Sequence, residues 1–104
     1  MNSKTLWSDP DFMEMVIDYV EAHSSRCEEW SFELAMSNLS GFCDEAHKIA
    51  GSAGMYGFDA LGNSARLLEE AIRSGSPDYV IYRNFQNLKN QMLKAHEEAL
   101  DYVP

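Results

Sequence analysis

A chain of 104 residues can bury one hydrophobic core but not two, and its 45% hydrophobic and 24% charged residues are the balance of an ordinary globular domain. Seventeen acidic against eight basic side chains, a formal charge of −9, exclude a nucleic-acid partner, whose phosphates are held by clustered Lys and Arg. No apolar run reaches bilayer length and the N-terminus MNSKTLWSDPDF has no targeting pattern, so we expect a cytoplasmic protein; the start at Met1 and the end at Pro104 point to a stand-alone single domain spanning residues 1–104.

Apolar residues fall at helical spacing along the whole chain and no stretch alternates with period two, so the expected fold class is all-α. Ser8-Asp9-Pro10, a capping residue followed by proline in the first turn, announces the first helix, with a seam through Phe12, Val16, Tyr19, Val20 and His23. The pattern weakens at Ser24-Ser25 and resumes at Cys27, Trp30 and Leu34, so residues 9–36 read as one long bent helix or two in series. Ser37-Asn38 caps a segment whose seam is Leu39, Phe42, Ala46, Ile49, Ala53 and Tyr56, ended by Gly57. Asp59 caps a third helix carrying Leu61, Ala65, Leu68 and Ile72, and Gly75 closes it. Ser76-Pro77-Asp78 starts a fourth, with a seam through Ile81, Phe85, Leu88, Met92, Ala95 and Ala99. Short connections make sequential helices antiparallel neighbours, which predicts an up-down antiparallel four-helix bundle with an N-terminal helical extension.

Chemistry concentrates in the stretch DEAHKIAGSAGMYGF, residues 44–58. Its Asp44-Glu45-Ala46-His47 string matches a helicase motif, but that chemistry needs a GxxxxGK[ST] phosphate loop and the chain contains none. Gly51, Gly54 and Gly57 lie three apart after a helical seam, whereas a dinucleotide loop uses GxGxxG between a strand and a helix. Helical geometry carries more. His47 projects roughly 130° from the centre of its helix seam, towards solvent, with the small residues Ala50, Gly51 and Gly54 at i+3, i+4 and i+7 beside it. A glycine inside a helix costs about 0.5–1 kcal/mol relative to alanine, so something must approach this face closely. A lone histidine of this kind is ordinarily a solvated surface residue; with a clearing on its own face it is suited to a nucleophile whose electrophile is carried by another protein.

The other reactive types are ordinary. Cys27 and Cys43 lack CxxC spacing and read as small buried hydrophobes, and His23 and His96 lie on other helices without metal-ligand spacing, so no metal site is expected. The six methionines and Trp30, Phe42, Tyr56 and Phe85 read as core, with Met55 also placed to join an interface.

The run from Ala46 to Phe58, followed by Leu61, Ala65, Leu68 and Glu69, resembles the histidine-containing phosphotransfer (HPt) domain of bacterial two-component phosphorelays. The resemblance implies a phosphoryl carrier with no ATP site or kinase activity of its own. In it His47 accepts a phosphoryl group from the aspartate of a response-regulator receiver domain and passes it to another receiver; a hybrid histidine kinase is a further implied partner, no cofactor is bound by this chain, and magnesium sits on the receiver. It also implies that Gly51 keeps the docking path clear, with Ala50, Gly54 and Met55 on the same partner-binding face. Glu69 stands where the family places a Gln or Glu that accepts a hydrogen bond from imidazole Nδ1–H, leaving Nε2 as the nucleophile; read without the family, it is equally a solvated helix carboxylate. One position departs from the pattern. The family often carries lysine three residues after the histidine, where this chain has Ala50, and Lys48 is the nearest basic candidate for a phosphoryl contact. The same departure supports the alternative of a non-phosphorylated module that only binds or sequesters a receiver.

Overall fold

The computed structural model describes residues 3–102 and, within them, all side chains except those of residues 3–5, 32, 34 and 35. The described residues form α1 (Pro10–Glu28), α2 (Phe32–Ser37), α3 (Leu39–Ser52), α4 (Asp59–Arg73) and α5 (Asp78–Tyr102), with 3-10 segments at Ser3–Ser8 and Ala53–Tyr56 and no strand among them. The four longer helices make the expected antiparallel bundle, in which α3 packs on α4, α4 on α5 and α5 on α1. The seams converge on one core, where Val16, Val20, Ile49, Leu61, Leu68, Phe85, Leu88 and Met92 are fully buried. Each such side chain contributes about 1.5–3 kcal/mol over its exposed state, and this packing rather than helix propensity holds the elements.

Residues 9–36 resolve as two helices in series, although neither glycine nor proline marks the break. The physical cause is Trp30, whose ring turns into the core against Phe42 and Phe85 at centroid distances of 4.7 and 5.6 Å. Its carbonyl leaves the helical ladder and is satisfied by Lys89 Nζ of α5 at 2.9 Å. The expected seam position Leu34 lies outside the described side chains.

Caps decide the other boundaries. The Asp9 carboxylate accepts from the Asp11 and Phe12 amides, at 2.9 and 3.5 Å, and Asn38 accepts from the Gly41 amide at 3.2 Å. Asp59 does not cap α4: Phe58 holds the N-cap position without a side-chain bond, and Asp59 is the first helical residue, where its charge complements the helix dipole. The turn just before fixes this. Gly57 adopts φ 94°, the Phe58 amide bonds back to the Ala53 carbonyl at 2.9 Å, and the Phe58 ring is thereby delivered into the core. One expectation about the core also changes. Met15 and Met55 are exposed while Met13 and Met92 are buried, and Met1 lies outside the described residues. Trp7, which carried no expectation, is buried under the bundle end; its Nε1–H donates to the Tyr56 carbonyl at 2.8 Å and its ring meets Phe58 and Tyr102 edge-on.

Gly75 closes α4 at φ 69°, with the Ser76 amide bonded to the Ala71 carbonyl at 3.0 Å and the Gly75 amide to the Ile72 carbonyl at 3.2 Å. A Cβ placed there meets nothing within 4 Å, so a substitution is opposed by backbone conformation alone. Gly75→Ala is expected to lower the urea-unfolding free energy by about 1–2 kcal/mol with unchanged helicity, and retained stability would remove the left-handed turn as its cause.

Candidate functional site

His47 stands on the outer face of α3, between the buried seam positions Ala46 and Ile49, and its side chain is 69% exposed. Across the α3–α4 groove Glu69 projects from the flank of α4, adjacent to buried Leu68, and its side chain is only 13% exposed. His47 Nδ1 and Glu69 Oε2 are 2.8 Å apart. An ionised carboxylate can only accept, so Nδ1 carries the proton and donates it, which leaves the Nε2 lone pair on the exposed ring. Of the two arrangements open for Glu69, the carboxylate lies against the imidazole rather than in open solvent.

This reach depends on how closely the helices approach. Gly62, one turn into α4, lies against the end of α3, where a Cβ in its place would come within 3.6 Å of Ala53 Cβ and 3.8 Å of the Ala50 carbonyl. Those are ordinary contact distances, so the small-residue surface sets the separation of the two helices, and Glu69 follows two turns later on the same groove.

Arg73 completes the group and was not singled out from the sequence. One turn beyond Glu69, its Nε and Nη2 both lie 3.0 Å from Glu69 Oε2, the oxygen that also takes His47. The available signal was the Glu69-to-Arg73 spacing of i,i+4 near a helix C-terminus, which is common on helix surfaces and identifies no site by itself. Burial pushes the Glu69 carboxyl upward, but the hydrogen bonds from His47 and Arg73, with the charge of both groups, outweigh it and hold the carboxyl below its ordinary 4.5.

The other expected residues are arranged as follows. Gly51 is exposed and a Cβ on it meets nothing within 4 Å, so no neighbour inside the protein requires a glycine there. Ala50 in α3 and Gly54 in the following 3-10 segment are half-buried, and Met55 beside Gly54 is 60% exposed. Lys48 is exposed on the flank nearer α1, where its charge lowers the His23 pKa after the larger effects of burial, Glu45 and Arg26. His23 is a boundary residue, edge-on to Tyr19 at 4.6 Å and 3.8 Å from Glu45, which also pairs with Arg26. Cys27 and Cys43 are buried free thiols, and burial pushes Cys27 up to about 12. Among the described residues no three His, Cys, Asp or Glu side chains converge as metal ligands, and no helix is long and apolar enough to cross a membrane.

Comparison with known proteins is consistent with this geometry. A family model described as the Hpt domain matches residues 11–100. Signal transduction histidine-protein kinase BarA of Shigella flexneri is 29% identical over 89 residues, 86% of this chain, and the protein of the same name from Escherichia coli (strain K12) is 28% identical over the same length. The chain spans only 9% of the length of these relatives. No solved structure gave a significant match.

A depressed carboxyl stabilises the fold above its unfolded pKa and loses that contribution as pH falls through the folded value, so the clamp on His47 is intact at neutral pH and released in acid. Carbon-detected NMR titration is expected to give Glu69 a midpoint below 4.5, shifted upward in Arg73→Ala; a wild-type midpoint at or above 4.5 would contradict the clamp.

Proposed function

This chain belongs to the Hpt domain family, whose members carry phosphoryl groups between proteins of two-component phosphorelays, and we propose that within it His47 is the residue phosphorylated. The single observation that supports this assignment is the bond between His47 Nδ1 and Glu69 at 2.8 Å, which fixes the tautomer and leaves Nε2 on a ring that is 69% exposed.

In this reading the Nε2 lone pair attacks the phosphorus of a receiver aspartyl phosphate. The N–P bond forms as the P–O bond to the aspartate breaks, and the carboxylate leaves with the electron pair. Nδ1 keeps its proton throughout, so the phosphorylated ring is an imidazolium whose positive charge faces Glu69. Attack by a second receiver's aspartate reverses the same bonds. No deprotonation is required, and the energetic demand on this chain is orientation: one nitrogen held, the other presented.

Gly51 and Gly54 serve the approach of the receiver, and Ala50 and Met55 complete the surface it covers. Lys48, exposed one residue after His47, is the second basic contact to the phosphoryl oxygens in this reading. This chain binds no cofactor in the reaction; magnesium belongs to the receiver, and the exchange takes place in the cytoplasm, where a histidine kinase carrying a receiver is the further partner. The native context, as a stand-alone unit of residues 1–104 or one module of a longer chain, does not alter this chemistry.

Incubation with a phosphorylated receiver is expected to label the protein with an acid-labile, base-stable adduct, absent in a folded His47→Gln variant. Labelling that persists in that variant would overturn the assignment, and receiver binding without any transfer in the parent would favour a purely sequestering module. Gly51 separates stability from docking. Gly51→Ala should leave the fold at least as stable, because the added Cβ meets open space in the last turn of α3, whereas Gly51→Phe should fold normally and slow the transfer.

A further inference from the structure

We infer that Arg73 is a positioning residue that cancels the charge of Glu69, so that an anionic phosphoryl group can be brought to His47 in a site without a lysine at position 50. The inference rests on His47 as the phospho-acceptor.

The site poses an electrostatic conflict. Glu69 must accept the Nδ1–H bond, yet as a carboxylate it places a full negative charge 2.8 Å from the ring that meets a phosphoryl dianion. The chain as a whole carries −9, and Asp44, one turn before His47, adds a further acid close enough to act on Arg73. Within the screening length of about 8–10 Å at physiological salt, these charges oppose the incoming group.

The basic side chains near His47 are not equally placed to offset them. Ala50 contributes none. Lys48 acts towards His23, and Arg66 is engaged with Asn63 at 2.7 Å and with Glu70. Arg73 is bonded into the site itself, with two nitrogens on the very oxygen that holds His47. The pair then separates a short-range effect from a long-range one. The bond from Nδ1–H to Oε2 persists at 2.8 Å beside the Arg73 contacts to the same charged oxygen, while at the distance of the phosphoryl group the carboxylate and guanidinium nearly cancel. Glu69 paired with Arg73 acts there as a neutral acceptor, the electrostatic equivalent of a glutamine. The same two bonds pin the Glu69 side chain in the rotamer that meets His47.

The proposal makes Arg73 dispensable once Glu69 is neutral, which a purely structural role does not. The experiment measures the rate of phosphoryl transfer from a phosphorylated receiver to the full chain for four proteins: the parent, Arg73→Ala, Glu69→Gln with Arg73→Ala, and Arg73→Lys. Arg73→Ala is expected to slow transfer about tenfold, with less loss at high salt. The double variant should recover most of that rate, since the introduced amide oxygen still accepts from Nδ1–H without a charge to repel the phosphoryl group, and Arg73→Lys should retain most of it. A double variant as slow as Arg73→Ala, or a defect independent of salt, overturns the inference, as does an Arg73→Ala protein that reacts at the parent rate. Circular dichroism checks that each variant is folded. Failure here is distinguishable from failure of the underlying reading: label that persists in His47→Gln removes the acceptor, whereas label confined to His47 with no Arg73 effect removes this inference alone.

Discussion

The 2.8 Å hydrogen bond between His47 and Glu69 is the contact around which the candidate site is organised. It joins two helices that are separated in sequence by the 3-10 segment Ala53–Tyr56 and the Gly57-Phe58 turn, and it forms only if their backbones approach closely and in the correct register. Both conditions are met at the far end of the groove, where Gly62 lies against Ala53 and the left-handed Gly57 reverses the chain.

The same bond explains how an exposed histidine can be made specific. A solvent-facing imidazole interconverts tautomers and rotates freely, so either nitrogen can be presented. Anchoring one nitrogen to a mostly buried carboxylate removes that freedom while the other stays accessible. The carboxylate is itself held, by Arg73 from the next turn of its own helix. Order therefore runs outward from the core: Leu68 and Ile49 fix their helices, the helix flanks fix Glu69 and Arg73, and these fix the ring.

Much of the architecture was legible in the one-dimensional pattern. The seam positions Phe42, Ala46 and Ile49 in α3, Leu61, Ala65 and Leu68 in α4, and all six positions named in α5 are buried. What escaped has a common origin in contacts between distant segments. The break between α1 and α2 depends on Trp30 meeting Phe85 and on Lys89 capping its carbonyl, 59 residues away. Trp7 is buried because the turn into α4 and the end of α5 lie beside it, and Met15 is exposed because its helix turns that side away from the bundle. Asp59 had a capping residue's identity but not its position, since the turn at Gly57 set the helix start one residue earlier.

By itself the sequence determined the helices, their order and the exposure of His47, because each follows from the 3.6-residue period and from caps that act within a few residues. It also placed an exposed glycine, Gly51, one turn after His47. The tertiary structure alone decided that Glu69 meets the imidazole rather than water, and that Arg73 shares its oxygen. Both depend on the separation and rotation of α3 against α4. Those are fixed by side-chain volumes summed over the whole interface, a quantity that no local spacing contains.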